Sequence, residues 1–291
     1  MTKQANPKKG GETFPARVRQ LLDRRGLRFV LAPLLKHRAR ALGTDLKDLF
    51  YDRAWIHETS QGFFAYHKPI VRLDMAEIDK LARLHFLWGY TPGNGHVVMD
   101  IGAGVGEEAL MFSREVGGGG RVICVEAHPG TYCCLEKLVE YNRLENVITM
   151  HWAVTGPSCS VATIEDSDDC LSNRVVGSTG IPVAATTVDA IRRRLGLQRI
   201  NFLKMNIEGG EHSAMRGMTE TLRCTEVLCI SCHDFLAEST GDESLRTKGA
   251  VKDFLEKHGL KVVERLEHDL PPYVNNQVWA YNERMTNAVT T

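Results

Sequence analysis

No apolar run in this chain exceeds about six residues, as in Val30 to Leu35, whereas a bilayer-spanning helix takes about 18. A transmembrane helix is not expected. Net charge is missing too, with 36 Lys plus Arg against 36 Asp plus Glu, and aromatics are few at 7% beside 43% hydrophobic residues. That balance is ordinary for a globular protein and excludes disorder and collagen-like repeats. The basic N-terminal stretch is followed by Gly, Glu and Pro rather than an apolar segment with a small-residue cleavage site. No secretory signal is read, and a cytoplasmic location is expected. The eight cysteines lack regular spacing, so reduced, buried thiols are expected and disulfides are not. No internal repeat is visible. At 291 residues, and about 150 residues per domain, one large domain or one domain with an appendage is allowed.

What is present begins with a charge asymmetry. Residues 1 to 47 hold 12 Lys or Arg and 3 acids, leaving 24 basic and 33 acidic residues in the remainder. Such an arm suits an anionic membrane surface or nucleic acid, or else is a solvated leader ahead of helices that cover the body. Sparse aromatics among the charges favour the leader, and the acidic body disfavours a nucleic-acid channel. Residues 1 to 13 are polar and read as mobile. From Pro15 to Leu49, Val18, Leu21, Leu22, Leu27, Val30, Leu31, Leu34 and Leu35 repeat at helical spacing, punctuated by Gly26 and Pro33. Residues 50 to 72 are rich in aromatics and His, with Gln61-Gly62 as a turn between short extended segments. Asp74 then caps a helix through Leu87. We read residues 1–93 as a helical extension and 94–291 as the main domain.

Beyond the loop at Thr91–Gly95 the rhythm changes to short apolar runs separated by helical patterns, the mark of a parallel sheet covered on both faces. Strands are predicted at Val97–Ile101, Val122–Glu126, Val147–Val154, Phe202–Ile207, Val227–Ser231, Leu260–Leu266 and Gln277–Tyr281. Helices are predicted at Glu107–Val116, Thr131–Asn142, Thr187–Leu195, Gly210–Leu222 and Thr247–His258. The first strand runs into Asp100-Ile101-Gly102-Ala103-Gly104-Val105-Gly106. A dinucleotide fingerprint would need its third glycine at Glu107. The observed spacing, after an acid, is the D-x-G-x-G-x-G form used for S-adenosylmethionine, whose sulfonium and amino groups favour Asp100 nearby and whose lack of phosphate relaxes the demand for an anion-binding helix end. Glu126 ends the next strand, about 20 residues on, where an acid takes the ribose hydroxyls. Ala153, at the end of the third strand, is placed against the adenine.

The segment Asn201-Phe202-Leu203-Lys204-Met205-Asn206-Ile207-Glu208-Gly209-Gly210-Glu211 resembles the "FLKIDVEGxE" stretch of FkbM-type methyltransferases, and Thr186-Thr187-Val188-Asp189-Ala190-Ile191 resembles the helix start that precedes it. The resemblance covers about residues 95 to 282. It implies a class I methyltransferase (Rossmann-like) α/β fold, with a seven-stranded mostly parallel sheet whose last strand is antiparallel. It also implies a small-molecule O-methyltransferase using S-adenosylmethionine, with sugars, oligosaccharides and glycolipids ranked first as acceptors and polyketide or natural-product hydroxyls second. Extensions of this kind pair two copies or cover the site, so a homodimer is an expectation. Asn206 departs from the family's Asp. A Mg²⁺ ion held by Asn206 and Glu208 would have one neutral ligand, and a protein that binds cofactor on an anionic surface without catalysing is the alternative reading.

Methyl transfer to an alcohol needs alignment of donor and acceptor and a base for the hydroxyl proton. His233, after the fifth strand, is the first candidate base; Glu208, at the same sheet edge, is the orienter, and His212 is a further candidate. Trp55, His57 and Tyr66 are candidates for an acceptor-binding lid, with core packing as the plainer alternative. Cys229-Ile230-Ser231-Cys232-His233 matches a haem-attachment pattern but lies on an expected strand. Asp269-Leu270-Pro271-Pro272-Tyr273 is read as a loop, and Glu165-Asp166-Ser167-Asp168-Asp169 as solvated.

Overall fold

The computed structural model describes residues 27–166, 175–176, 180–265, 267 and 270–286. The arm before Leu27, the helical pattern at Val18, Leu21 and Leu22, Ser167 to Asp169, and Asp269 lie outside these residues.

The extension is not purely helical. After α1 (Arg28–Ala41) come β1 (Asp48–Asp52), β2 (Ala54–Thr59) and β3 (Gly62–Tyr66), an antiparallel meander turning at Gln61-Gly62, then α2 (Met75–Phe86). Its strands carry the aromatic and β-branched residues that pleated surfaces favour. The Asp74 side chain caps α2 by accepting from Glu77 N at 3.1 Å, as expected.

The main sheet is built from β4 (Val97–Ile101), β5 (Arg121–Glu126), β6 (Val147–His151), β11 (Ile200–Met205), β12 (Thr225–Ser231), β13 (Lys261–Glu264) and β14 (Gln277–Tyr281). Its order is β13-β14-β12-β11-β4-β5-β6, with β14 antiparallel to both its neighbours and the other pairs parallel. This is the class I methyltransferase fold. Between the strands lie α3 (Glu107–Val116), α4 (Pro129–Asn142), α5 (Val188–Arg194), α6 (Glu211–Met215), α7 (Thr219–Leu222), α8 (Asp234–Thr240) and α9 (Lys248–Lys257), with α10 (Pro272–Asn275) before β14 and α11 (Glu283–Thr286) after it.

Three differences from the sequence reading have local causes. The third predicted strand breaks at Trp152, and its end, β7 (Ala153–Val154), pairs instead with β10 (Ile181–Thr186). β10 also joins β8 (Val161–Ile164) and β9 (Val175–Val176) in a small second sheet that the sequence reading lacks. Pro182 in β10 obscures the alternation there. The helix expected over Gly210–Leu222 splits into α6 and α7 around Gly217, where a Cβ would press on Thr187.

The two-residue period of the strands sorts the core into two layers. Met99, Ile101, Ile123, Leu203, Met205, Leu228 and Ile230 pack on one face, and Val98, Val122, Cys124, Phe202, Cys229 and Trp279 on the other. Each such Val, Leu, Ile, Met or Phe side chain contributes about 1.5–3 kcal/mol by its burial. Phe86 and Tyr90 share the second layer, with Tyr90 stacked on Phe202 at 4.5 Å between ring centroids. The chain on either side of residue 93 therefore shares one core. The described cysteines are all free, and no described helix is long and apolar enough to cross a membrane.

Candidate active site

The parallel strands β4, β5 and β11 end at one sheet edge, where open α/β sheets leave a crevice for ligands. A cavity of about 330 Å³ opens there. Its floor is the turn between β4 and α3. Gly102 has φ +75°, and a Cβ on it would run into the backbone oxygen of Asn206, so only glycine fits. Gly102 N and Ala103 N donate to Val125 O at 2.8 and 3.1 Å, tying the turn to β5.

Glu126 projects from the end of β5 into the cavity. Its Oε2 accepts from Gly104 N at 3.0 Å and its Oε1 from His128 N at 2.8 Å. Burial raises its carboxyl to about pH 7 even so, the two backbone donors offsetting only part of the cost. A carboxylate in this setting gains from further donors, and a ribose diol supplies two. Ala153 and Trp152 line the wall beyond Glu126, with Val154 and Ile164. The turn, the acid and the apolar wall fit a nucleoside that carries no phosphate, as in S-adenosylmethionine.

A model of the methyltransferase FkbM domain matches residues 100–262. The chain belongs to the FkbM methyltransferase family. It is accordingly a methyltransferase dependent on S-adenosylmethionine. No curated protein matches the chain in sequence. Among solved structures it is similar to an FkbM methyltransferase from Methylobacillus flagellatus KT, at 17% identity and TM-score 0.43, over 73% of this chain and 51% of that one. It is also similar to Aeropyrum pernix fibrillarin in complex with natively bound S-adenosyl-L-methionine, at 14% identity and TM-score 0.43, over 82% and 99% of the two chains. A third is a methyltransferase from Aquifex aeolicus, at 16% and 0.42, over 72% and 98%.

The structure gathers Gly102, Gly104, Glu126, Ala153, Asn206 and Glu208 around the cavity of this FkbM-family protein. Asp100 is not among them. It is fully buried beneath the turn, where Lys204 Nζ donates to its Oδ1 at 2.7 Å and to Gly102 O at 3.2 Å. Burial raises the Asp100 carboxyl to about 6. Burial opposes the charge on Lys204 too, but Asp100 and Glu108 overcome it and hold the ammonium above its ordinary value. Asp100 thus braces the floor of the cavity and does not line it.

His233 needs the larger correction. It is buried, with Nε2 3.3 Å from Glu208 Oε2 and Nδ1 3.1 Å from Glu211 Oε1, contacts of charge rather than well-directed hydrogen bonds. Burial alone would depress it, but the two carboxylates lift it to about 10. His233 is thus placed as a counter-ion between Glu208 and Glu211, without the free ring nitrogen that the sequence reading assigned to a base. His212 is exposed on α6, away from the cavity. Nor do Trp55, His57 and Tyr66 form a lid. Trp55 packs with Leu31, Leu35 and Leu49. His57 is held at about 4 by burial, and its Nε2 accepts from Ile70 N at 2.9 Å. Tyr66 reaches the site only through Glu107, which lines the cavity and accepts from the Tyr66 hydroxyl at 2.6 Å.

Glu208 sits at φ +52°, a conformation uncommon for a side-chain-bearing residue. The following helix start explains how it persists: Glu211, fully buried, accepts from Ile207 N at 3.3 Å and Gly209 N at 3.2 Å. For a divalent ion the donors do not fit. Asn206 is neutral, Glu208 is already paired with a cation, and among the described residues no three His, Cys, Asp or Glu side chains form a metal-binding group.

His85 is the residue that sequence reasoning misses. It comes from α2 and lines the cavity with Phe86, its ring 4.9 Å from that of Tyr273. Burial lowers its pKa, with Glu108 pulling the other way, so the ring is neutral at pH 7. Only the packing of α2 across the sheet brings it there, and in sequence it is one helix-face His among others.

Proposed function

We propose that this FkbM-family enzyme is an O-methyltransferase for a hydroxyl of an uncharged small molecule, a sugar, oligosaccharide or glycolipid. The observation that carries this reading is the charge of the cavity wall. Glu107, Glu108, Glu126 and Glu208 line it, while its Lys204 is committed to Asp100. A phosphorylated or carboxylated acceptor would meet like charge in a partly desolvated site, whereas a polyol offers hydroxyl donors to those same carboxylates.

When bound, S-adenosylmethionine supplies a methyl group activated by its sulfonium. Gly102, Gly104 and Glu126 would hold its nucleoside. Glu208, made rigid by His233, accepts a hydrogen bond from the acceptor and orients the reacting hydroxyl. His85, which also lines the cavity, would take the hydroxyl proton as the acceptor oxygen bonds the methyl carbon and that carbon's bond to sulfur breaks, leaving a neutral thioether. The apolar residues Phe86, Val154 and Ile164 on the wall also suit a polyketide hydroxyl, the second reading.

Calorimetric titration with S-adenosylmethionine, then a methyl-transfer screen of neutral sugars, glycolipids, polyketides and sugar phosphates with Mg²⁺ or chelator, tests this. Transfer to neutral hydroxyls with no gain from Mg²⁺ is expected. His85→Asn should lower turnover by about 10²–10⁴-fold with cofactor affinity unchanged. Transfer to sugar phosphates alone would overturn the acceptor class, and full turnover in His85→Asn would place the base elsewhere.

A further inference from the structure

Helix α1 buries one stripe and leaves a second apolar stripe bare. Leu31, Leu35 and Ala39 pack against Leu46, Leu49 and Trp55 of the meander. Phe29, Val30 and Leu34 point outward at 85%, 59% and 63% exposure. Single exposed hydrophobic residues are unremarkable, but three within two turns of one helix form a patch that water does not favour.

The same helix holds no acid. Its cations are Arg28, Lys36, Arg38 and Arg40, and Arg38 and Arg40 are exposed in the last turn beside His37. Lys36 is engaged with Asp48 at 2.6 Å, and Arg28 lies over the Tyr51 ring at 3.6 Å. The sequence just before the helix continues the sign, with Lys3, Lys8, Lys9, Arg17, Arg19, Arg24 and Arg25 against Glu12 and Asp23.

We propose that α1 is a docking surface for an anionic lipid bilayer, with Phe29, Val30 and Leu34 entering the boundary between headgroups and acyl chains and Arg38 and Arg40 meeting lipid phosphates. Apolar area and basic charge on one exposed helix face are the two contributions that hold a peripheral helix at such an interface. Nucleic acid would use the charge but leave the apolar residues in water. A second copy would cover the apolar residues but bring no acid to Arg38 and Arg40 from the same helix, which holds none. The inference does not depend on the methyl-transfer reading.

The test is co-sedimentation of the full chain with phosphatidylcholine vesicles carrying about one third phosphatidylglycerol, and with phosphatidylcholine alone, at low and high salt. Binding to the anionic vesicles alone is expected, weakened about tenfold by high salt. Phe29→Ser/Leu34→Ser should lose about tenfold, and Arg38→Gln/Arg40→Gln should lose the salt-sensitive part. Phe29 and Leu34 are exposed, so melting temperature and cofactor binding of Phe29→Ser/Leu34→Ser should match the parent, which separates lost docking from lost folding. Absence of binding to anionic vesicles, or equal binding by Phe29→Ser/Leu34→Ser, overturns the proposal. So does a dimer in sedimentation velocity that this variant abolishes while vesicles go unbound, or binding of polyuridylate but not of vesicles.

Discussion

Glu126 illustrates how one residue couples the site to pH. Its folded carboxyl stands near 7 against an ordinary 4.5 because burial disfavours the anion. Ribose hydroxyls favour the anion, so cofactor binding should release a proton near neutral pH, and affinity should fall as pH drops below about 7. Calorimetry in buffers of differing ionisation enthalpy reads the proton directly. In Glu126→Gln that release should vanish, and affinity should fall by about 1–3 kcal/mol, the cost of a lost hydrogen bond to a charged group. The same reasoning applies to the charge of His233. Near-neutral titration makes histidine a good base in the abstract, but Glu208 and Glu211 hold this one as a cation.

At the scale of elements, the link between β11 and α6 is the most constrained segment of the site. Glu208 at φ +52° and Gly209 at φ +98° turn the chain, and Glu211 secures the turn through two backbone N–H groups while also facing His233. Glu211→Ala removes these contacts and a hydrogen bond from the Thr247 hydroxyl, and leaves a buried imidazolium with one partner. Urea unfolding at pH 7 should show a loss of about 3–5 kcal/mol, the usual cost of breaking a buried ion pair from one side. The sign with pH follows from the raised folded pKa of His233. Its stabilisation is fully present below the unfolded value of 6.5 and is lost as pH rises through about 10. The alkaline decline of stability should accordingly be shallower in Glu211→Ala.

For the whole molecule, the extension and the sheet are joined at several levels. Lys137 of α4 pairs with Asp52 at 2.5 Å, Asn142 accepts from Phe63 N at 3.0 Å, and Phe64 lies in a core with Leu110, Cys134 and Leu138. We propose that residues 27–93 and the sheet unfold as one cooperative unit. Phe64→Ala should cost about 3–5 kcal/mol and shift a single thermal transition monitored by circular dichroism and by cofactor protection alike. Two separated transitions would show that the extension folds on its own.

The seven strands of the main sheet are legible along the chain, most of them to within a few residues. Strands at Val97–Ile101 and Gln277–Tyr281 and the helix at Glu107–Val116 occur at the predicted residues, because buried parallel strands need unbroken apolar runs and amphipathic helices need their period, both local properties. Glycines and Glu126 were legible for a similar reason: a left-handed turn and a strand-end acid leave a mark at fixed spacing. What those features face is set by the packing of the whole chain. Whether Asp100 lines the cavity or lies beneath it on Lys204, whether His233 stands free or between two carboxylates, and whether His85 or His57 reaches the cavity depend on charges and burial supplied by residues far away in sequence. Protonation and access are set by that three-dimensional surrounding, which no local pattern encodes.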